Sequence, residues 1–255
     1  MSKVWTLYRK EMLEAVRSYK LIWIPVVFII LGIMQPLVTF YMADILASSS
    51  NVPAGFMESY KMPGASEVMA QALGQYGTIG LLILALGTMN SLAGERSGGT
   101  VELLLAKPVS PAAIVAAKWT AHLTVLIIAL GLGAAGAAYY TVQLMGPLSW
   151  NTVAAATGLY GLWLLCTVSL TLLLSAWLRG PAAAFLALLL AAGMSVSYSL
   201  LPSRLEWMPA ALPGMSAKVL TSGGIAVGPV VSAAVLILIC IAGASLLAGR
   251  NKLPD

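Results

Sequence analysis

The sequence predicts an all-α integral membrane protein with six transmembrane helices, and two observations lead to this fold class. First, 60% of the 255 residues are hydrophobic and only 9% are charged, whereas soluble domains carry about 25% charged residues. Second, the apolar residues form runs long enough for spanning helices, which need about 20 residues each. Because these runs use most of the chain, no room is left for a built-in ATPase or a large receptor domain.

The N-terminal residues 2–19 are predicted to form an amphipathic helix that lies along the membrane interface, where it contacts lipids. At about 100° per residue, its charged side chains share one stripe and its aromatic and apolar side chains lie opposite. Arg9 interrupts the edge of the apolar face, and the sequence offers no reason for it. The alternative is a solvated, charged leader. The residues assigned to the interfacial helix are Trp5, Tyr8, Lys10, Met12, Glu14 and Arg17.

The six spans are predicted at about 21–41, 73–93, 111–145, 152–178, 181–201 and 229–248. Residues 44–72 have the composition of a polar loop. Ser110 fits the N-cap of the third span and Pro111 its first turn. Within that span Ala129, Gly133 and Ala137 recur every four residues, a spacing that lets membrane helices approach closely.

Residues 202–228 precede the last span and are too apolar for an ordinary loop. Prolines and glycines interrupt them so often that no full span fits. Irregular backbone at membrane depth must be buried in protein or line a cavity. We therefore expect a broken re-entrant segment made of two short, half-inserted helices.

The distribution of Lys and Arg predicts the orientation. The N-terminal segment, the loop at 94–118, the Arg179 turn and the C-terminal tail together carry eleven, whereas the opposite loops carry three. By the positive-inside rule, both termini and the loop at 95–110 are cytoplasmic. Because topology explains the basic excess, the sequence does not indicate nucleic-acid binding.

The predicted spans lack the groups that membrane enzymes and ion-coupled carriers need. No Asp, Glu, Lys or Arg lies in the middle of a span, where each would cost about 2.5–3.5 kcal/mol. The nucleotide-binding, hydrolase and metalloprotease motifs are also missing. We therefore expect no catalytic residue and no metal site in this chain. A structural role is expected for His122, and burial as small apolar residues for Cys166 and Cys240.

A few polar residues in the spans could line a transport pathway. Gln35, Gln75 and Asn90 are the candidates, and Gln71 and Gln143 share their character. Hydrogen bonds between helices are the alternative role for such side chains.

The charged loop between the second and third spans has a recognisable pattern. It reads Glu95-Arg96-x-x-Gly99-Thr100-x-Glu102-Leu103-Leu104, then Lys107-Pro108-Val109-Ser110 and Lys118. This pattern resembles the cytoplasmic loop of permease subunits of type-2 ABC transporters, in particular those of nitrous-oxide-reductase maturation, sodium export and gliding motility. Two positions depart from the usual pattern: Pro111 stands where arginine is common, and Ala117 where glycine is common.

The resemblance implies that residues 95–110 form a cytoplasmic coupling helix, which sits in a cleft of a separate ABC ATPase subunit. ATP and Mg²⁺ would bind that subunit and not this chain. The charges of Glu95, Arg96 and Glu102 could pair with charges on the ATPase, and the leucines could fill an apolar groove. The predicted coupling residues are Glu95, Arg96, Gly99, Thr100, Glu102, Leu103, Leu104, Lys107, Pro108 and Lys118.

The resemblance also implies a function: a permease of the bacterial cell membrane, working as a homodimer or heterodimer and exporting its substrate by alternating access. The alternative is a non-transporting component that transmits force from the ATPase to an extracytoplasmic partner or a maturation system. The same loop would serve both functions.

Overall fold

The structure is a computed structural model that describes residues 3–48, 61–97 and 110–250, and within these ranges the chain is helical with no strand. An N-terminal helix, Lys3–Arg17, precedes six long apolar helices. The predicted all-α class with six spans is confirmed. The spans are span 1 Lys20–Phe40, span 2 Ala65–Arg96, span 3 Pro111–Met145, span 4 Trp150–Ser175, span 5 Gly180–Leu200 and span 6 Val227–Gly249.

Span 2 begins earlier than the sequence indicates. Residues 65–72 belong to a helix, although they were predicted to be part of a polar loop. The Glu67 carboxylate accepts the N–H of Gly64 at 3.3 Å, which satisfies one backbone donor ahead of the first turn. Val68, Met69 and Ala72 are buried beneath the polar residues of the same turns. A further helix, Met42–Ser48, also lies inside the predicted loop.

Span 2 contains a π-helical turn at Tyr76–Gly80, followed by α-helix at Leu81–Thr88 and Asn90–Ser97. A π-turn inserts one residue into the helical ladder and shifts the faces that follow. Tyr76, at the start of this turn, is fully buried, and its ring stacks on Phe28 of span 1 with centroids 4.8 Å apart.

The segment before span 6 contains one short helix rather than two. A 3₁₀ turn, Pro209–Ala211, leads directly into the helix Leu212–Thr221. This helix packs on span 4, where the Ser216 hydroxyl donates to the Ala156 carbonyl at 2.8 Å. Gly223 and Gly224 then adopt φ of 74° and 104°, a left-handed conformation that favours glycine and ends the helix. Half-insertion into the membrane stays a prediction.

Span 4 forms the centre of the bundle. Two thirds of its most apolar window is buried (67%), against 22% for spans 5 and 6. Its Trp163 is 1% exposed and belongs to a core that also includes Phe28 and Tyr76. The outer faces of spans 5 and 6 therefore remain open to lipid or to another chain.

Spans 1 and 3 approach each other at two glycines. A Cβ atom on Gly133 would lie 2.8 Å from the Phe28 carbonyl oxygen and 2.5 Å from the Tyr76 hydroxyl, and a Cβ on Gly32 would collide with the Gly133 carbonyl. Because Ala129 and Ala137 are also fully buried, the predicted packing role of the small residues in span 3 is confirmed. The Tyr76 hydroxyl lies beside this contact between spans 1 and 3 and donates to the Phe28 carbonyl at 3.0 Å.

The start of span 3 follows the prediction. The Ser110 side chain accepts the N–H of Ala113 at 3.3 Å, and Pro111 occupies the first turn. With 35 residues, the helix is about 52 Å long, whereas the hydrocarbon core is about 30 Å thick. Part of span 3 therefore projects beyond the hydrocarbon, and its N-terminal part carries the charged contacts of Lys118.

Candidate functional site at the charged end of the bundle

Four charged side chains form an ion cluster where the N-terminal helix crosses spans 2 and 3. The Lys118 ammonium contacts both oxygens of Glu11, at 3.0 and 3.1 Å, and Glu95 Oε1 at 2.9 Å. The Lys10 ammonium contacts the same Glu95 oxygen at 2.9 Å and Glu11 Oε1 at 3.3 Å. The cluster therefore alternates two cations and two carboxylates, and its formal charge is zero. We call this part of the molecule the charged end.

The ion cluster is largely shielded from solvent. The exposed fractions of the side chains are 1% for Lys118, 11% for Glu11, 15% for Glu95 and 46% for Lys10. A buried ammonium needs both charge and hydrogen-bond partners, and two carboxylates supply them to Lys118. Burial lowers the pKa of Lys10, but hydrogen bonds and attraction from Glu95 and Glu11 outweigh it and hold the pKa above its ordinary value. Lys10 therefore stays charged at neutral pH.

The N-terminal helix presents Glu11 to Lys118 because its inward face is built from small and polar residues. Ala15, one turn after Glu11, is buried. One turn before, the Tyr8 hydroxyl lies 3.1 Å from Thr124 Oγ1 of span 3. Residues 8, 11 and 15 share one face of a helix, so these contacts fix the rotation of the N-terminal helix against span 3.

Arg96 makes a second set of contacts, in a different direction. Its guanidinium donates to the carbonyls of Ser175 at 3.0 Å, Trp177 at 3.1 Å and Leu178 at 2.5 Å. These carbonyls lie at the C-terminal end of span 4, where the helix has no further backbone donors of its own. A cation at this position also complements the helix dipole.

Glu95 and Arg96 together form a junction at the end of span 2. Glu95 links the end of span 2 to the N-terminal helix and to span 3. Arg96 links the same end to the turn between spans 4 and 5. The segment 98–109 follows two residues later, and span 3, with Lys118, follows that segment. A displacement of this segment would therefore act on several helices through two adjacent residues.

The structure changes one expectation about the predicted coupling residues. The charges of Glu95 and Arg96 were expected to be available to a partner, but both are engaged within this chain, and Lys118 is buried. Their role in coupling stays a prediction. The remaining predicted coupling residues lie outside the described residues: Gly99, Thr100, Glu102, Leu103, Leu104, Lys107 and Pro108.

Glu11 was not identified from the sequence as a functional residue. The one available signal is its position: it lies one turn from Tyr8 and from Ala15, on the face of the helix that includes neither the charged stripe nor the centre of the aromatic one. An isolated carboxylate on such a face requires a buried cation as partner, but the sequence does not say which of several lysines supplies it.

The assigned interfacial residues are divided between two environments. Tyr8 faces span 3, whereas Trp5 is 50% exposed and stacks against Tyr8 with ring centroids 5.4 Å apart. Lys10 belongs to the ion cluster, while Glu14 and Arg17 are exposed and Met12 is half-buried. Location at the membrane interface stays a prediction.

A small polar cavity of about 60 Å³ adjoins the ion cluster. Lys20, at the start of span 1, donates to the Gly87 carbonyl at 2.9 Å. His122 Nε2 lies 2.5 Å from Ser91 Oγ, so it has the interhelical contact expected of a structural histidine. The lining includes Glu11, Glu14, Lys20, Asn90, Ser91 and His122.

The predicted pathway residues do not converge on one site. Gln75 donates to the Gln35 side chain at 2.9 Å, and Gln35 donates to Gln71 at 2.8 Å, so these three amides link spans 1 and 2. Asn90 instead packs against Gly180, at the start of span 5. For Gln35 and Gln75 the structure therefore favours hydrogen bonding between helices over a shared lining with Asn90.

An apolar groove of about 570 Å³ lies between spans 3 and 4. Small residues such as Gly131, Ala135 and Gly158 line it, together with Trp150. None of the predicted pathway residues contributes to this groove. In the described ranges, no three His, Cys, Asp or Glu side chains gather in a way that could hold a metal ion.

Comparisons with known proteins agree with this architecture. The model of a family described as "ABC-2 family transporter protein" matches residues 5–218. The uncharacterized transmembrane protein YxlG of Bacillus subtilis (strain 168) is 35% identical over 224 residues, which cover 88% of this chain and 87% of that protein. The family match includes the N-terminal helix, the ion cluster and the junction at Glu95 and Arg96.

Proposed function

We propose, from the premise that this chain belongs to the ABC-2 family of transporter membrane proteins, that it is the permease of an ATP-driven exporter. Its six apolar helices make it a multi-pass membrane protein, and its family associates in general with an ATPase subunit. The proposal adds the direction of transport, the mechanism of alternating access and the site at which the ATPase acts.

The observation that carries this proposal is the junction at Glu95 and Arg96. The ion cluster fixes the end of span 2 to the N-terminal helix and span 3, and Arg96 fixes it to the end of span 4. A segment attached to such a junction can transmit a push as a movement of whole helices, because packed helices shift as bodies. We therefore assign the coupling role to residues 95–110.

In this mechanism the leucines of residues 95–110 lie in an apolar groove of the ATPase, while Glu95 and Arg96 stay bound within this chain. Closure of the ATPase on ATP displaces the junction, and the helices tied to it tilt and open a path on the other side of the membrane. ATP and Mg²⁺ bind the ATPase subunit, and no residue of this chain is assigned to them. The chain itself is proposed to have no enzymatic activity.

The proposed assembly lies in the bacterial plasma membrane with both termini in the cytoplasm, as the excess of Lys and Arg around the charged end favours. Two permease chains, identical or different, form the dimer. The weakly buried outer faces of spans 5 and 6 leave ample surface for such a partner.

Co-purification tests the coupling assignment. We expect Leu103→Glu to abolish capture of the partner ATPase subunit while membrane insertion stays normal, because a carboxylate cannot enter an apolar groove without a partner. Leu103→Met is the matched control and should retain capture. Normal capture by Leu103→Glu would refute the assignment.

Transport itself needs a separate assay. Vesicles that contain the purified complex should accumulate or release a solute only when ATP is hydrolysed. ATP hydrolysis coupled to no solute movement, together with retention of an extracytoplasmic protein, would support the non-transporting, force-transmitting component instead.

A further inference from the structure

We propose that Arg9, together with Trp5, forms a binding site for the phosphate of an anionic phospholipid on the outer flank of the N-terminal helix. This proposal goes beyond the transport function and does not depend on the ATPase. It also gives a reason for a residue that the sequence pattern leaves unexplained.

The first observation is the charge balance of the N-terminal helix. Lys10 is neutralised within the ion cluster by Glu95 and Glu11. Arg9 and Arg17 are exposed, and within the described ranges neither forms a salt bridge or a side-chain hydrogen bond. Both guanidiniums are therefore available to an outside anion, and both line one open groove of about 760 Å³ along the N-terminal helix.

The second observation is the position of each arginine around the helix relative to the exposed apolar side chains. At about 100° per residue, Arg9 and Trp5 each fall about 20° from Val16, whereas Arg17 falls about 100° from it. Trp5 is 50% exposed and Val16 is 46% exposed. Arg9 therefore borders an exposed apolar flank, whereas Arg17 lies beyond the edge of that flank.

The third observation is the exposed apolar surface that continues from this flank onto span 1. The chain continues from Val16 through Tyr19, which is 67% exposed, to Ile22 and Val26 on the exposed surface of span 1, at 57% and 47%. In a membrane-spanning helix such an apolar surface contacts lipid. The face of the N-terminal helix that packs on the bundle carries Tyr8, Glu11 and Ala15. Trp5 and Val16 lie beside that face and stay about half exposed, so we place their flank on the same lipid-exposed surface.

The occupant follows from the chemistry. Tryptophan is favoured at the level of the lipid headgroups, and a long cationic side chain beside it can keep its apolar stem along lipid while its head stays in the polar layer. The planar guanidinium binds phosphate through paired hydrogen bonds. A phospholipid with net negative charge therefore matches Arg9 better than a zwitterionic one, in which an ammonium group competes for the phosphate.

Native mass spectrometry of the full chain tests this site. The protein is taken from nanodiscs that contain equal amounts of phosphatidylglycerol and phosphatidylcholine, and the ratio of the two retained lipids is measured. We expect Arg9→Gln to lower this ratio about fivefold, the factor that one basic residue near an anionic surface supplies. Arg9→Lys should keep only part of the preference, because the charge remains but the paired hydrogen bonds of the guanidinium are lost.

Arg17→Gln is the matched control, since it removes the same charge from the same helix and the same groove at a position about 80° from Arg9, away from the apolar flank. An equal loss for Arg17→Gln and Arg9→Gln would show that net charge alone attracts the lipid and would overturn the proposal. No loss for Arg9→Gln would overturn it as well.

Fluorescence quenching gives a second, independent measurement in the intact protein. The signal of Trp5 is obtained as the difference between the unsubstituted chain and Trp5→Phe in vesicles with brominated lipid. Brominated phosphatidylglycerol should quench this signal more strongly than brominated phosphatidylcholine, and Arg9→Gln should remove the difference. Equal quenching by both lipids in the unsubstituted chain would contradict a site for anionic lipid.

Discussion

Lys118 and Glu95 form an ion pair of 2.9 Å that bridges the two ends of the segment assigned to ATPase coupling. Glu95 is the first residue of that segment, and Lys118 follows the segment, within the first turns of span 3. The N-terminal helix joins the same pair through Glu11, 107 residues away in the chain. An ion pair therefore connects the end of span 2 to the beginning of span 3, on either side of the loop that joins them.

Removal of the Lys118 charge should destabilise the protein. Lys118→Met leaves Glu11 and Glu95 close together, with Lys10 as their remaining cation in the cluster. Breaking a buried ion pair in this way costs about 3–5 kcal/mol. Thermal unfolding in detergent measures the loss, and the exposed Lys218→Met is the control. The double variant Lys118→Met/Glu11→Gln should recover part of the stability; additive losses would contradict direct coupling of the pair.

Arg96 should be replaceable in part by lysine but not by an apolar residue. Arg96→Met removes the donors to three carbonyls at the end of span 4, and we expect it to lower the stability by about 1–3 kcal/mol. Arg96→Lys keeps the charge near the helix terminus but not the forked geometry. Its stability in thermal unfolding should therefore lie between that of the unsubstituted chain and that of Arg96→Met. Arg179→Met, an exposed change at the same turn, should be nearly neutral. If it matched Arg96→Met, the contacts of Arg96 would not explain the effect.

Because spans 1 and 3 approach closely at Gly133, alanine should affect stability very differently at Gly133 and at the nearby Gly131. A methyl group at Gly133 meets the Phe28 backbone and the Tyr76 hydroxyl, whereas one at Gly131 meets nothing within 4 Å. Gly133→Ala should therefore cost about 1–3 kcal/mol through overpacking, while Gly131→Ala should not destabilise. The same unfolding assay compares them, and equal stability of the two variants would refute the contact.

The hydrogen-bonded glutamines of spans 1 and 2 allow a role in helix packing to be distinguished from a role in transport. Gln35→Leu removes the hydrogen bonds to Gln71 and Gln75, and such bonds between membrane helices are worth about 0.6–2 kcal/mol. We expect this loss of stability with unchanged transport per folded molecule. Gln143→Leu, on the exposed surface of span 3, is the control. A large loss of transport at normal stability would instead assign Gln35 to the pathway.

The helical class and the number of spans could be predicted from the sequence because the bilayer imposes them. Hydrocarbon admits helices and closed barrels, and continuous apolar runs of about 20 residues fit a spanning helix, whereas a spanning strand needs only about 9–11. The start of span 2 could not be placed in the same way. Its first turns are polar, and they are helical because Glu67 caps them and Val68 and Met69 find a buried surface, which only the packed bundle supplies.

The candidate site was predictable as a location but not as a set of contacts. The charged loop after span 2 was recognisable from its motif, and the family membership of the chain is now shown. The contacts of Glu95 and Arg96 were not predictable, because an exposed charge and a charge paired across the fold look identical in a sequence.

Composition and the length of the apolar runs are enough to predict six membrane spans, and the loop motif is enough to recognise a resemblance to ABC permeases. The cluster of Lys10, Glu11, Glu95 and Lys118 and the capping of span 4 by Arg96 become visible in the packed bundle alone. The partners of these contacts lie far apart along the chain. Ion pairs that link residues 85 and 107 positions apart depend on how the helices pack and rotate, and no local pattern encodes that rotation.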